Sequence, residues 1–137
     1  GKAANIWPPA NFAAASDYLA RKYSLDIVVV EGPAGQRVFR DFVRSCPSEA
    51  VFLRSPSVGC QGAVMTYAAV TLCNDTGIMH IAGAVGAPSV AVFGPTDPDR
   101  WKPAVNNVKA VRADDHRVES VAVEEVISAA EEFLTDN

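Results

Sequence analysis

With 137 residues, nearly half of them apolar, and a net charge of −4, the chain has the size and the apolar content of one packed domain. Its scattered Lys and Arg form no basic patch, which argues against a nucleic-acid partner, and no apolar run approaches the ~20 residues of a membrane span. Cys46, Cys60 and Cys73 stand far apart and in no Cys-x-x-Cys spacing; they read as reduced thiols of a cytoplasmic protein, not as a disulfide framework or a zinc site.

Trp7-Pro8-Pro9 closes an aperiodic start, and proline suits the first turn of a helix. A first helix is predicted over residues 9–22, with Phe12, Ala15, Leu19 and Tyr23 on one face and Asp17, Arg21 and Lys22 toward water. Residues 26–31 (DIVVVE) form a strand, and Gly32-Pro33 turns it into a helix over 34–45 that carries Val38, Phe42 and Val43 inward. Residues 50–53 make a third apolar element. A loop through Ser55 and Gly59 precedes a short helix over 61–69 that presents Val64, Tyr67 and Ala68 on one side.

The apolar runs 70–73 and 89–93, each bounded by turn formers, read as buried parallel strands. Between them the cap-type residues Asn74, Asp75 and Thr76 stand before Ile78, Ile81, Ala82 and Val85, whose spacing is helical. A helix is therefore predicted to begin near Thr76 and to stop at Gly86, ahead of Pro88. Ala82, Gly83 and Ala84 are small enough to bring that helix close to the sheet. Pro95, Pro98 and Pro103 stiffen the following loop, 108–111 is the last strand, and 114–119 is a polar connector. Val123, Val126, Ile127, Ala130, Phe133 and Leu134 define a final helix whose solvated face carries Glu124, Glu125, Glu131 and Glu132. Five strands alternating with helices make a doubly wound α/β sheet, Rossmann-like, in a single domain over 1–137.

The helix at Thr76 begins at the carboxyl end of a parallel strand, where open α/β sheets bind ligands. Its unpaired backbone N–H groups and partial positive charge suit a phosphate, and Gly77 lets a ligand reach the backbone. This helix start is expected to open into the main concavity of the domain. From spacing alone a second reading stands beside the first, in which Asp75 or Thr76 merely caps the helix and Gly77 is incidental. Thr76 and His80, four apart, share a face of the first turn, although His80 also fits a partly buried helix histidine. Gly94, Pro95, Thr96 and Asp97 leave the next strand at the same sheet edge, as a wall of the same pocket or as an ordinary turn. Asp75, Asp97, Asp99, His80 and His116 show no recognised metal-ligand spacing, and no Ser-His-Asp set or Gly-x-Ser-x-Gly elbow is present.

NDTGIMHIAGAVGAPSVAVFGPTDPDRW, residues 74–101, resembles the signature of the heptosyltransferases, family nine of the glycosyltransferases. Asn-Asp-Thr-Gly, Met-His, a small-residue helix and Phe-Gly-Pro-Thr-Asp-Pro occur in that order in both. The resemblance implies that the chain is the carboxyl-terminal, nucleotide-sugar-binding domain of a two-domain GT-B enzyme. The amino-terminal acceptor domain would be absent, as would the opening strand that lies mid-sheet in that fold. It further implies donor-binding roles for Asp75, Thr76, Gly77, His80, Gly94, Pro95 and Thr96, with Met79, Glu31 and Asn5 as further candidates. Thr76 and the Gly77 backbone would hold the diphosphate, with Asp75 and His80 close to sugar and phosphate. Two positions depart from the family pattern. The lysine understood to meet the donor's phosphates falls at Asn5, with Lys2 nearby, and Gln36 and Arg37 occupy the region of the ribose-binding acid, for which Glu31 is either a stand-in or only the polar end of its strand.

The activity implied is inverting transfer of heptose from ADP-heptose to an acceptor of the lipopolysaccharide inner core, without metal or cofactor. The protein would be cytoplasmic and peripheral at the inner membrane, where the acceptor lies. The general base would come from the missing amino-terminal domain, so this fragment alone is expected to be inactive. The alternative is a non-catalytic nucleotide-binding or interaction module of the same fold.

Overall fold

The computed structural model describes residues 5–31, 36–54 and 56–135. In chain order the elements are α1 (Pro9–Tyr23), β1 (Ile27–Glu31), α2 (Gln36–Ser45), β2 (Ala50–Arg54), α3 (Val58–Thr66), β3 (Thr71–Asn74) and α4 (Gly77–Val85). They continue with β4 (Ser89–Phe93), α5 (Pro98–Trp101), β5 (Val108–Arg112), a 3-10 turn (Val118–Ser120) and α6 (Val123–Thr135). The turn expected at Gly32-Pro33, Lys2 and Ser55 lie outside the described residues.

All strand pairs are parallel, as helical crossovers require. β3, β4 and β5 form one sheet in that order, with Cys73 opposite Ala91 and Ala91 opposite Ala110. β1 and β2 form a second, with Ile27 opposite Ala50. Thus among the described residues β1 pairs only with β2 and β3 only with β4, and each leaves one edge without a partner.

Every residue of β4 is buried. Val90 and Val92 face Trp7, Ala15, Leu19, Val121, Val126 and Ala130, while Ala91 and Phe93 pack with Cys73, Met79 and Val108. The period of two thus places α1 and α6 on one side of the sheet and α4 on the other, which is the doubly wound arrangement. Trp7 has no exposed surface, its indole Nε1 donates to the Val121 carbonyl at 3.0 Å, and its ring meets Phe12 edge-on at 4.9 Å between centroids. Pro8 then opens α1 and Pro9 starts it, as the Pro-Pro pair predicts.

Four packing expectations need correction. Val43 is exposed, because Phe39 against Phe52 and buried Phe42, three residues apart, set the inward stripe of α2. The third helix starts at Val58, not near 61, because the Ser57 side chain caps it by accepting from the Cys60 N–H at 3.1 Å. It therefore ends before Tyr67, which is 92% exposed, and buries Gly62 and Met65 instead. Of the three small residues of α4, Ala82 and Gly83 are buried and Ala84 faces solvent; a Cβ at Gly83 would lie 3.1 Å from Pro103, so at Gly83 the close approach is to a loop. Glu131, assigned to the solvated face of α6, instead joins that helix to α1 through Lys22 Nζ at 2.6 Å and the Tyr23 hydroxyl.

Two measurements check this packing. Trp7→Phe removes the indole donor from the buried Val121 carbonyl and some core volume, so urea unfolding is expected to show a loss of about 2–4 kcal/mol with little change in slope. Glu131 is held below the ordinary 4.5 first by Lys22 and then by Tyr23. Its contribution is therefore present above 4.5 and is lost as pH falls through the lower folded value. Glu131→Gln is expected to melt below the native chain at neutral pH, with the gap closing in acid; a gap that persists in acid would assign the effect to packing.

Candidate functional site

β3 and β4 run side by side with Asn74 opposite Val92, so Asp75–Thr76 and Gly94–Thr96 leave the sheet at the same edge. The Asp75 N–H extends the ladder by one bond to the Val92 carbonyl at 3.2 Å, and the Thr76 N–H turns back to the Asn74 carbonyl at 2.9 Å. Thr76 is the extended N-cap of α4, as its sequence position predicts, yet its side chain makes no capping bond. The N–H groups of Gly77 and Ile78 meet no acceptor among the described residues. The first turn of α4 therefore keeps its unpaired donors and its partial positive charge.

Gly77 is exposed, its φ is outside the left-handed region, and a Cβ built on it would meet no atom within 4 Å. Neither packing nor backbone conformation requires a glycine here. What the residue provides is a bare backbone on the open side of the helix start. Asp75 and Thr76 are half-buried beside it, and His80, one turn on, is exposed with no hydrogen-bond partner among the described residues. Met79, named above as a further donor contact, is fully buried against Cys73, Ala91, Phe93 and Val108, so its side chain seats the helix and offers a ligand no surface. Burial, and secondarily the Asp75 charge, push the Cys73 thiol up to about 12, which keeps it protonated and unreactive.

The loop after β4 is held from the far side of the sheet. At the end of β5, Arg112 donates from Nε to the Gly94 carbonyl and from Nη2 to the Pro95 carbonyl, both at 3.0 Å. Gly94 is buried, Thr96 half-buried and Pro95 exposed. The Asp97 carboxylate accepts from the Asp99 N–H at 3.0 Å and caps α5, so its role is that of an ordinary turn residue. Asn107 fixes the other end of α4, donating from Nδ2 to the carbonyls of Ala82 and Ala87 at 3.1 and 2.9 Å.

Asn5 is half-buried, two residues before Trp7, whose N–H donates to Asn74 Oδ1 at 2.8 Å. That bond brings the segment ahead of α1 to the carboxyl end of β3. Glu31 ends β1 in the other sheet, 3.8 Å from Arg54, and no hydrogen bond or ladder joins it to the Thr76 group among the described residues.

The helix start, expected to open into the main concavity, lines neither of two grooves formed by the described residues. One groove, of about 720 Å³, lies along α1 between Tyr18, Arg21 and Pro47, and another, of about 540 Å³, lies between β5 and α6. The Thr76 group forms an open wall. Among the described residues no cluster of His, Cys, Asp and Glu has the makings of a metal site.

Residues 2–129 match the family model for glycosyltransferase family 9 (heptosyltransferase). Lipopolysaccharide heptosyltransferase 3 of Escherichia coli is 31% identical over 116 residues, which cover 81% of this chain and 34% of that protein. Lipopolysaccharide heptosyltransferase 2 of E. coli K12 is 41% identical over 39 residues, 28% of this chain and 11% of that protein. A solved glycosyl transferase family 9 structure from Veillonella parvula superposes with a TM-score of 0.89 at 24% identity, over 100% of this chain and 45% of that one. The E. coli heptosyltransferase WaaC with ADP superposes with a TM-score of 0.83 at 22% identity, over 96% and 41%. At these identities the structural likeness is one of fold. The chain spans about a third of the length of the first of these curated relatives. With the family matched over nearly its whole extent, the chain belongs to glycosyltransferase family 9, the heptosyltransferases.

Proposed function

We propose that this chain is the donor-binding half of an inverting glycosyltransferase that moves heptose from ADP-heptose to a lipopolysaccharide inner-core acceptor. The observation that carries the proposal is the first turn of α4: unpaired N–H groups beside a glycine that the fold itself does not require. A diphosphate accepts from such donors, and a missing side chain lets its oxygens reach them. Membership of the family supplies the substrate class, and a solved heptosyltransferase of the same fold contains ADP.

In this reading Thr76 and the Gly77 backbone hold the diphosphate, Asp75 and His80 border the sugar and phosphate, and Gly94–Thr96 form the adjacent wall. An acceptor hydroxyl attacks the anomeric carbon from the face opposite the diphosphate. The new C–O bond forms as the bond to the diphosphate oxygen breaks, which inverts the centre. The hydroxyl proton passes to a base on the amino-terminal domain, and the negative charge growing on the departing ADP is met by donors already in place. The open wall seen here would then be closed by that second domain, and this half alone would bind without turning over. No metal enters the scheme.

Asn5, where the family carries a lysine, favours a second reading, a module that binds the nucleotide without catalysis. Transfer activity in a two-domain protein carrying this half, with Asn5 retained, separates the two.

Calorimetry with ADP tests the site. Gly77→Val is expected to weaken binding more than tenfold, and because its Cβ would meet no protein atom within 4 Å, the fold should survive the change. Asn5→Lys is expected to strengthen binding several-fold, most at low salt, by adding a charge-assisted contact to the diphosphate. Unchanged affinity in Gly77→Val would move the phosphate site away from α4.

A further inference from the structure

We propose that Asn74 is a positioning residue whose carboxamide ties the chain segment ahead of α1 across the start of α4, making residues 5–7 a wall of the donor site. The proposal rests on the donor-binding reading above and extends it to a residue outside the ligand's own contacts.

Asn74 is the last residue of β3 and serves three elements. Its backbone is in register with Val92 of β4, its carbonyl accepts from the Thr76 N–H at 2.9 Å to begin the turn into α4, and its Oδ1 accepts from the Trp7 N–H at 2.8 Å. A backbone N–H can only donate, so this bond fixes which way the carboxamide is turned. It is also the only hydrogen bond that the backbone of residues 5–7 makes to a described residue outside that segment.

The indole of Trp7 is anchored separately, on the Val121 carbonyl and in the core. The tether and the anchor therefore do different work. The anchor holds the side chain of Trp7, while the tether sets the course of the backbone immediately before it. Consecutive Cα atoms are about 3.8 Å apart, so Asn5 lies within about 7.6 Å of Trp7 and is placed by whatever places the Trp7 amide. Asn74 thereby brings position 5 to the carboxyl end of β3, where Asp75, Thr76 and Gly77 follow directly in the chain. Without the tether the indole stays seated and the approach of position 5 to the diphosphate is no longer defined.

Coupling between positions 5 and 74 tests this in the present chain, with ADP as the probe. Asn74→Ala is expected to speed hydrogen exchange of the Trp7 amide at least tenfold and to weaken ADP binding about tenfold. Asn74→Asp keeps the acceptor and should restore slow exchange. The gain in affinity from Asn5→Lys should disappear when Asn74→Ala is also present. Should Asn74→Ala fail to fold, the near-isosteric Asn74→Leu takes its place, and loss of the fold in both would assign Asn74 to stability alone and overturn the proposal. It is equally overturned if the Trp7 amide is released while ADP affinity and the Asn5→Lys gain stay within twofold of their native-background values. Absence of ADP binding in the native chain, or an unaffected Gly77→Val variant, would defeat the donor-binding reading itself, and with it any role of Asn74 at that site.

Discussion

Burial of β4 on both faces is the constraint from which the remaining structure follows. A strand of five residues with none exposed needs a layer on each side, and its alternating side chains assign those layers. Val90 and Val92 take the α1–α6 side and Ala91 and Phe93 the α4 side. Each of these side chains is worth roughly 1–3 kcal/mol when removed from water, so the sheet and its helices stand or fall together. α4 is therefore set by its buried residues, Met79, Ala82 and Gly83, and its opposite flank is left free for other use.

That division of labour explains why the helix start can remain electrostatically unfinished. A protein seldom leaves helix-terminal donors unpaired when a capping side chain is at hand, and Thr76 stands in the capping position without capping. The surrounding supports hold the geometry while these donors remain unpaired. Arg112 fixes the neighbouring loop, Asn107 the far end of the helix, and Asn74 the segment ahead of α1. The result is a preorganised helix start whose first N–H groups meet no acceptor among the described residues.

Locally coded features were legible in the sequence. The strand at 89–93, the helix between Thr76 and Gly86, and α6 follow from hydrophobic periodicity and end signals within a dozen residues, and the structure places them within about a residue of expectation. The parts that escaped are decided at long range or by competing local bonds. Ser57 claims the start of α3 through a single cap, which shifts the whole inward face and leaves Tyr67 outside. Glu131 looks solvated on a helical wheel and is engaged only because α1 happens to pack there. Arg112 and Asn74 reach partners 17 to 18 and 67 residues away, so no local pattern marks these bonds, although Asn74 itself opens the Asn-Asp-Thr-Gly motif. The Asp75–Gly77 group was recognisable through its motif, whereas spacing alone left it undecided between cap and site.

The sequence separation of these contacts also orders the folding of the site. Ladder partners lie 18 to 23 residues apart, whereas Trp7 reaches Val121 across 114. Closing the longer loop costs about 1.5 kcal/mol more in chain entropy than closing a ladder. The three-stranded sheet with α4 is thus the cheap, local part of the fold, and the segment carrying Asn5 is held by long-range bonds, from Trp7 to Asn74 across 67 residues and from Trp7 to Val121 across 114. Partial opening at that seam would free residues 5–7 while the helix start and its donors persist; under the proposal that these residues wall the donor site, nucleotide occupancy and the seating of residues 5–7 would be two views of a single equilibrium.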